Sequence, residues 1–195
     1  MSEFRPYDPH SVVRQTWRNL PHREQPGATY FVTFRLADSL PAEVRNRLGE
    51  IRDLNDRETF AWIDRHLDAG SGSCLFSQTD PAEIVVSTLR HFDGNRYRLG
   101  AFVVMPNHVH ALVQPIEPHT RQQVVHSWKS YTANILQRLT AIHGRLWQEE
   151  GFDRIVRDAT ELRVFHDYIF ANPAAARLPD GSFIVGQGTA NWIEP

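Results

Sequence analysis

The alternation of apolar and polar residues predicts three β-strands in this chain. The segment from Thr29 to Leu36 is β-branched and aromatic and alternates, as is typical of a strand. Tyr97 to Val104 and Val109 to Gln114 are two further β-rich runs, separated by Met105-Pro106-Asn107. That short turn composition suits a hairpin. We therefore expect the two later runs to be central strands of a sheet.

Apolar residues recur at helical spacing in the segments between and after these strands. They do so in residues 41–67 (as one broken helix or two short ones), 81–92, 124–139 and 162–169. The last helix should end near Asn172, because the residue before Pro173 is pushed out of the α region. Strands and helices in this order predict an α+β fold, with a mainly antiparallel sheet and helices packed against it.

The two ends of the chain lack clear periodicity. Residues 1–27 combine arginines with prolines and are interpreted as an extended N-terminal arm. Glycine and proline dominate beyond Leu178, which predicts a loose C-terminal tail over residues 179–195. We therefore expect one domain over residues 28–178. With 195 residues, of which 41% are hydrophobic, the chain is long enough for one well-filled core.

Cysteine content and hydropathy indicate the cellular compartment in which the protein works. Cys74 is the single cysteine, so no intramolecular disulfide or cysteine-held zinc is expected, and packing in a reducing compartment must stabilise the fold. The longest apolar runs, such as Ala101 to Met105, fall far short of the roughly 20 residues that span a bilayer. These features predict a cytoplasmic protein without a membrane role.

Charge is unevenly distributed along the chain. The net charge of −2 argues against binding of nucleic acid, but residues 118–148 contain four cations and no acid. These cations are Arg121, Lys129, Arg138 and Arg145. Such a cationic stripe can contact phosphates, or it can be the solvated face of a helix.

The motif His108-Val109-His110 suggests half of a metal site. Strand geometry sends residues two apart to the same face, so both imidazoles project together while Val109 points to the other side. Such a pair can also occupy a polar sheet face without binding a metal.

Tyr168 and Asn172 offer a nucleophile and a third ligand. They stand four residues apart, hence on one face of the last helix. A phenol is a poor nucleophile at its free pKa of about 10, and a metal acting on the phosphate as a Lewis acid would lower the barrier for attack. Alternatively, Tyr168 is a core aromatic residue and Asn172 is a helix end before proline.

Several segments together resemble a known family. The run from Val103 to Leu112 is similar to the His-hydrophobic-His motif of single-tyrosine HUH transposases. Later segments resemble, in order and spacing, the REP-associated tyrosine transposases within that family; these are Leu146-Trp147-Gln148, Phe152-Asp153, Ile155-Val156-Arg157 and Tyr168-Ile169-Phe170-Ala171-Asn172-Pro173. The resemblance covers about Ala28 to Leu178.

The resemblance implies an HUH endonuclease fold with a ferredoxin-like, RRM-like core. It implies that His108, His110 and Asn172 hold a divalent metal, Mg²⁺ or Mn²⁺, and that Tyr168 attacks single-stranded DNA to form a 5′-phosphotyrosine bond. The substrate would be a hairpin from a repetitive extragenic palindrome. Residues expected to contact this DNA are Lys129, Arg121, Arg138 and, in the arm, Arg18.

Three alternatives remain open from the sequence. The chain can be a DNA-hairpin-binding protein without turnover, or an HUH replication initiator or relaxase-type nickase. It can also be a metallohydrolase that uses water, although that chemistry would not need Tyr168. Neither the target DNA sequence nor the choice between monomer and homodimer follows from these residues.

Overall fold

The protein folds around a five-stranded antiparallel sheet. The computed structural model describes residues 3–17, 21–47, 56–140 and 144–193. The strands are β1 (Arg14–Trp17), β2 (Pro21–Glu24), β3 (Tyr30–Arg35), β4 (Tyr97–Val104), β5 (His108–Pro115), β6 (Phe152–Ile155) and β7 (Ile184–Gln187). The helices are α1 (Ala42–Arg47), α2 (Asp56–Asp68), α3 (Thr79–His91), α4 (Arg121–Leu139) and α5 (Ala159–Ala175).

The sheet has the strand order of a ferredoxin-like core. Its strands lie in the order β6-β3-β5-β4-β7, and each neighbouring pair is antiparallel. Along the chain, β3, α3, β4, β5, α4 and β6 form a βαββαβ unit. The prediction of an α+β fold with a mainly antiparallel sheet is confirmed. The β4–β5 hairpin is also confirmed, and the Met105 amide closes its turn on the His108 carbonyl at 2.9 Å.

The two faces of the sheet bury different sets of side chains. On one face, alternate residues of the strands pack against α3 and α4, with Trp128 of α4 among the largest buried side chains. On the other face, Phe31 and Leu112 pack against Phe165 and Ile169 of α5. Because residues two apart share a face, the polar side chains of β5 lie on this second side.

Two segments are more ordered than the sequence suggested. In the N-terminal arm, β1 and β2 pair as a two-stranded antiparallel sheet, called here the N-terminal ribbon. After Leu178, β7 adds to the sheet edge beside β4, so the expected loose tail was wrong at this point. Close packing explains the glycine at position 186 in β7, because a Cβ on Gly186 would lie 2.4 Å from the Cζ atom of Phe102.

Helix α5 does not end at Asn172 as expected, and continues through Pro173 to Ala175. Proline removes one backbone donor from the helix, yet the next turn still closes, with the Ala176 amide donating to the Asn172 carbonyl at 2.9 Å. Asn172 therefore keeps its helical position one turn after Tyr168.

The broken helix expected over residues 41–67 corresponds to α1 and α2, while residues 48–55 lie outside the described residues. Among the described helices, none combines the length and apolarity needed to cross a membrane.

Candidate active site

His108 and His110 project from β5 onto the sheet face that packs against α5. Their ring centroids lie 4.6 Å apart, and both side chains are almost fully buried. Val109 and Ala111 point to the opposite face and join the core there. The two imidazoles therefore lie side by side on a rigid strand, as the alternation predicted.

Each imidazole is oriented by a hydrogen bond at Nδ1. The Nδ1 atom of His108 lies 2.7 Å from Oδ1 of Asn107, and Nδ1 of His110 lies 2.8 Å from Oγ1 of Thr33. Thr33 stands directly opposite His110 in the β3–β5 pairing. Such contacts fix the ring orientation and direct Nε2 of both histidines towards a common space, as is usual for metal-ligating histidines.

The Nε2 atom of His108 is buried and has no hydrogen-bond partner among the described residues. Burial, followed by the neighbouring His110 and Arg35, holds the pKa of His108 well below its usual value. The imidazole is therefore neutral at neutral pH. A neutral, buried nitrogen lone pair is the form in which histidine binds a metal.

Helix α5 brings Tyr168 and Asn172 to the same place. The Tyr168 phenol oxygen lies 3.4 Å from Nε2 of His110 and accepts a hydrogen bond of 2.6 Å from Nδ2 of Asn172. The Asn172 side chain is buried, and its Oδ1 atom has no hydrogen-bond partner in the described part of the chain. The structure thus assembles all four residues that the sequence singled out.

The surroundings of Tyr168 keep its phenol protonated. Burial, then the charge of Asp64 and a hydrogen bond to it, raises the pKa of Tyr168 far above its ordinary value. Phe31 and Phe60 add edge-on aromatic contacts, with ring centroids 6.0 and 5.3 Å from that of Tyr168. The phenol therefore needs a positive charge nearby before it can act as a nucleophile at neutral pH.

Asp64, on α2, is a site residue that the sequence did not reveal. Its Oδ1 atom lies 3.4 Å from Nε2 of His110, and its side chain is 12% exposed. One ligand atom from each of Asp64, His108 and His110 lies within 4.8 Å of the others. The available signal was weak, since Phe60, Asp64 and Asp68 are spaced four apart on one face of an acidic, amphipathic helix.

Asp68 lies one helical turn beyond Asp64. Burial, followed by the charge of Asp64, raises the pKa of Asp68 to about 7. Its Oδ1 atom is also buried without a hydrogen-bond partner in the segments that the structure describes. Two carboxylates from α2 therefore make this end of the site electronegative.

The donor atoms around this space fit a divalent cation. Two imidazole nitrogens and a carboxylate oxygen, from His108, His110 and Asp64, lie within 4.8 Å of one another. Three buried acceptors lack a hydrogen-bond partner within the described segments; these are Nε2 of His108, Oδ1 of Asp64 and Oδ1 of Asn172. Carboxylate and amide oxygens suit Mg²⁺ and Mn²⁺, and imidazole favours Mn²⁺ of the two.

Two of the cations predicted to contact DNA, Arg121 and Lys129, already bind other groups of the protein. Arg121 pairs with Glu24 at 3.3 Å and with Asp153 at 3.2 Å. Lys129 donates to the backbone carbonyls of Gln148 and Glu149 at 2.6 and 2.8 Å. Glu24 and Asp153, which are distant in sequence, thus neutralise the Arg121 part of the cationic stripe.

Arg138, near the end of α4, is exposed. It is therefore sterically accessible to a ligand. Arg18 lies outside the described residues.

Comparison with known proteins identifies the family. Residues 80–172, which include His108, His110, Tyr168 and Asn172 but not Asp64, match the family described as Transposase IS200 like. Over this stretch the chain is similar to that family of transposases, which confirms the resemblance expected from the sequence.

The fold is that of a REP-associated tyrosine transposase. A solved structure of such a transposase bound to a REP hairpin is similar over 90% of this chain and 74% of that chain, with a TM-score of 0.51 and 18% identity. At this identity the similarity concerns the fold. No curated protein matches the chain.

Proposed function

We propose that this protein is a metal-dependent transposase that cuts and rejoins single-stranded DNA with Tyr168 as its nucleophile. The observation that carries the proposal is the position of the phenol oxygen, 3.4 Å from Nε2 of His110 and 2.6 Å from the amide nitrogen of Asn172. A tyrosine that only filled the core would not need a buried histidine and a buried amide at its hydroxyl.

His108, His110 and Asn172 would hold the divalent ion, Mg²⁺ or Mn²⁺. When bound, the ion would supply positive charge to polarise a DNA phosphate and offset the developing negative charge of the reaction. Asn107 and Thr33 would keep both imidazoles oriented through their Nδ1 atoms. The phenol, whose pKa is raised by burial and by Asp64, would become reactive in this setting.

In the cleavage step, the Tyr168 oxygen attacks a phosphorus atom of the DNA backbone. A bond between the phenol oxygen and phosphorus forms, and the bond from phosphorus to the 3′ oxygen breaks. The phenol proton is lost and the 3′ oxygen gains one, so the products are a 5′-phosphotyrosine and a free 3′ hydroxyl. A 3′ hydroxyl can later attack that linkage and rejoin strands, because the covalent intermediate conserves the bond energy without ATP.

We propose that the DNA substrate is a REP-type hairpin. The protein would act on it in the cytoplasm, as a monomer or a homodimer. The support is the shared fold with a transposase that was solved bound to a REP hairpin. Arg138 is the best placed of the predicted phosphate contacts, because it is exposed. Lys129 would have to exchange its carbonyl partners for phosphate, and Arg121 would have to leave two carboxylates.

The test uses labelled single-stranded hairpins taken from repeats beside the gene for this protein. The wild-type protein with Mn²⁺ or Mg²⁺ should cleave them and leave a covalent protein–DNA adduct that survives denaturation. Tyr168→Phe should bind the hairpin with nearly unchanged affinity and neither cut nor form the adduct. Tyr131→Phe is the matched control, because Tyr131 is 56% exposed on α4 and has Ile135 one turn further on.

The outcomes also distinguish the alternatives. Hairpin binding without cleavage by the wild type would identify a DNA-binding protein that has no turnover. Cleavage without an adduct, or cleavage by Tyr168→Phe, would favour a metallohydrolase that uses water. An adduct that forms without strand transfer would favour a replication initiator or relaxase-type nickase.

A further inference from the structure

We infer that Asp64 is a ligand of the divalent ion, so that α2 contributes directly to the catalytic site. This inference rests on the proposed function, because it assigns a further residue to the same metal. Asp64 lies outside residues 80–172, the stretch that matches the transposase family. The ligand would therefore come from a part of the chain that the family match does not include.

The distances place Asp64 within reach of an ion shared with both histidines. Ligand atoms of Asp64, His108 and His110 lie within 4.8 Å of one another. Two atoms that bind one ion at about 2.0 to 2.6 Å can lie at most about 5 Å apart. The three side chains therefore need no rearrangement of the backbone to meet at one ion.

Hydrogen bonding within the protein does not account for this cluster. A salt bridge between Asp64 and a protonated His110 would explain their 3.4 Å contact. It would leave Nε2 of His108 and Oδ1 of Asn172 buried and without partners among the described residues. Buried acceptors without partners are unfavourable, and a cation held by Asp64, His108 and His110 would satisfy Nε2 of His108 and Oδ1 of Asp64 together.

Helix α2 is fixed in the position that this role requires. The Asn107 amide, which orients His108, also donates to the carbonyls of Leu67 at 3.2 Å and of Ser71 at 3.1 Å. Phe60, one turn before Asp64, packs edge-on against His110 with ring centroids 6.1 Å apart. The helix that carries Asp64 is therefore joined both to the histidine strand and to the residue that orients it.

A carboxylate ligand changes the chemistry expected of the site. Two imidazoles and one amide are neutral donors, so they leave the full charge of the ion uncompensated. Asp64 adds a negative, hard oxygen donor, which favours Mn²⁺ and Mg²⁺. The protein should therefore bind Mn²⁺ in the absence of DNA, before any substrate phosphate can contribute.

The experiment measures Mn²⁺ binding to the full chain without DNA. Titration followed by electron paramagnetic resonance reports free Mn²⁺, and circular dichroism confirms that each variant is folded. Asp64→Ala should weaken binding at least tenfold, and Asp64→Glu should retain part of the affinity. Asp167→Ala, on the exposed surface of α5, removes a carboxylate without removing the ligand. It should change affinity less than about threefold.

The results separate this inference from the proposed function. If Asp64→Ala binds Mn²⁺ like the wild type while His108→Ala does not, Asp64 is not a ligand and the histidine site stands. If Asp167→Ala weakens binding as much as Asp64→Ala, charge rather than ligation is responsible and the inference is overturned. If His108→Ala also binds normally, the metal site of the proposed function fails.

A crystal soaked with Mn²⁺ decides the case in which Asp64→Ala does not fold. An anomalous peak within about 2.6 Å of an Asp64 oxygen supports the inference. A peak on the histidines that lies beyond 4 Å from Asp64 overturns it.

Discussion

Asn107→Ala tests whether the turn residue before His108 supports both the fold and the metal site. Its side chain, 1% exposed, accepts from Nδ1 of His108 and donates to the carbonyls of Leu67 and Ser71. A hydrogen bond contributes about 0.5 to 1.5 kcal/mol net, so these three together give about 2 to 4 kcal/mol. We therefore expect the free energy of unfolding to fall by about that amount.

The same substitution should weaken Mn²⁺ binding by about 10- to 100-fold, because His108 loses the partner that sets its orientation. Urea unfolding measures the first effect, and Mn²⁺ titration of the folded variant measures the second. Asn107→Asp keeps an acceptor for His108 but loses both donors, so it should recover metal affinity more than stability. Asn134→Ala, on the exposed face of α4, should change stability by less than about 0.5 kcal/mol. A stable Asn107→Ala protein with unchanged Mn²⁺ affinity would refute the reasoning.

Three further predictions follow from the remaining contacts. Asn172→Ala should need much more metal for half-maximal cleavage and be partly rescued by excess Mn²⁺; an unaltered requirement would remove Asn172 from the ligand set. Arg138→Ala and Lys129→Ala should each reduce the log–log salt slope of single-strand binding by about 0.7, and an unchanged slope would identify α4 as a solvated face. Burial lowers the pKa of His22, but hydrogen bonds to Asp153 and Glu150 outweigh it and raise the value from 6.5 to about 9. The stabilising contribution of His22 should be complete below about pH 6.5 and be lost as pH rises through about 9. Urea unfolding should therefore show that the free energy of unfolding falls less over that pH range in His22→Ala than in the wild type.

Local patterns were sufficient for three strands, β3, β4 and β5, and for half of the site. The bounds of β4 agree with the predicted strand, and His108 and His110 share a face because alternation is a property of any strand. The spacing of Tyr168 and Asn172 likewise follows from one helical turn. These features depend on neighbours within a few residues, which a sequence displays directly.

Contacts between distant segments were not readable in this way. The local sequence does not distinguish Asp64 from the other acids of α2, and only the contact of α2 with β5 brings it to His110. The stripe on α4 looked uncompensated, yet Glu24 and Asp153 reach Arg121 from strands about 97 and 32 residues away in sequence. The N-terminal ribbon is connected to β6 by the same kind of contact, between His22 and Asp153.

The site combines features that weaken the fold in the absence of an ion. Three acceptors are buried without partners in the described part of the chain, on His108, Asp64 and Asn172, and each such atom costs about 1 to 3 kcal/mol. Hydrophobic side chains could fill the same space between α2, β5 and α5 without that loss. Metal binding, as proposed, would explain why polar atoms remain there, because the same atoms would become favourable once a cation binds. Burial, followed by the charge of Asp64, raises the pKa of Tyr168, and a bound ion would offset the charge of Asp64 that opposes ionisation of the phenol. In the proposed function, activation of the nucleophile would thereby be coupled to metal binding.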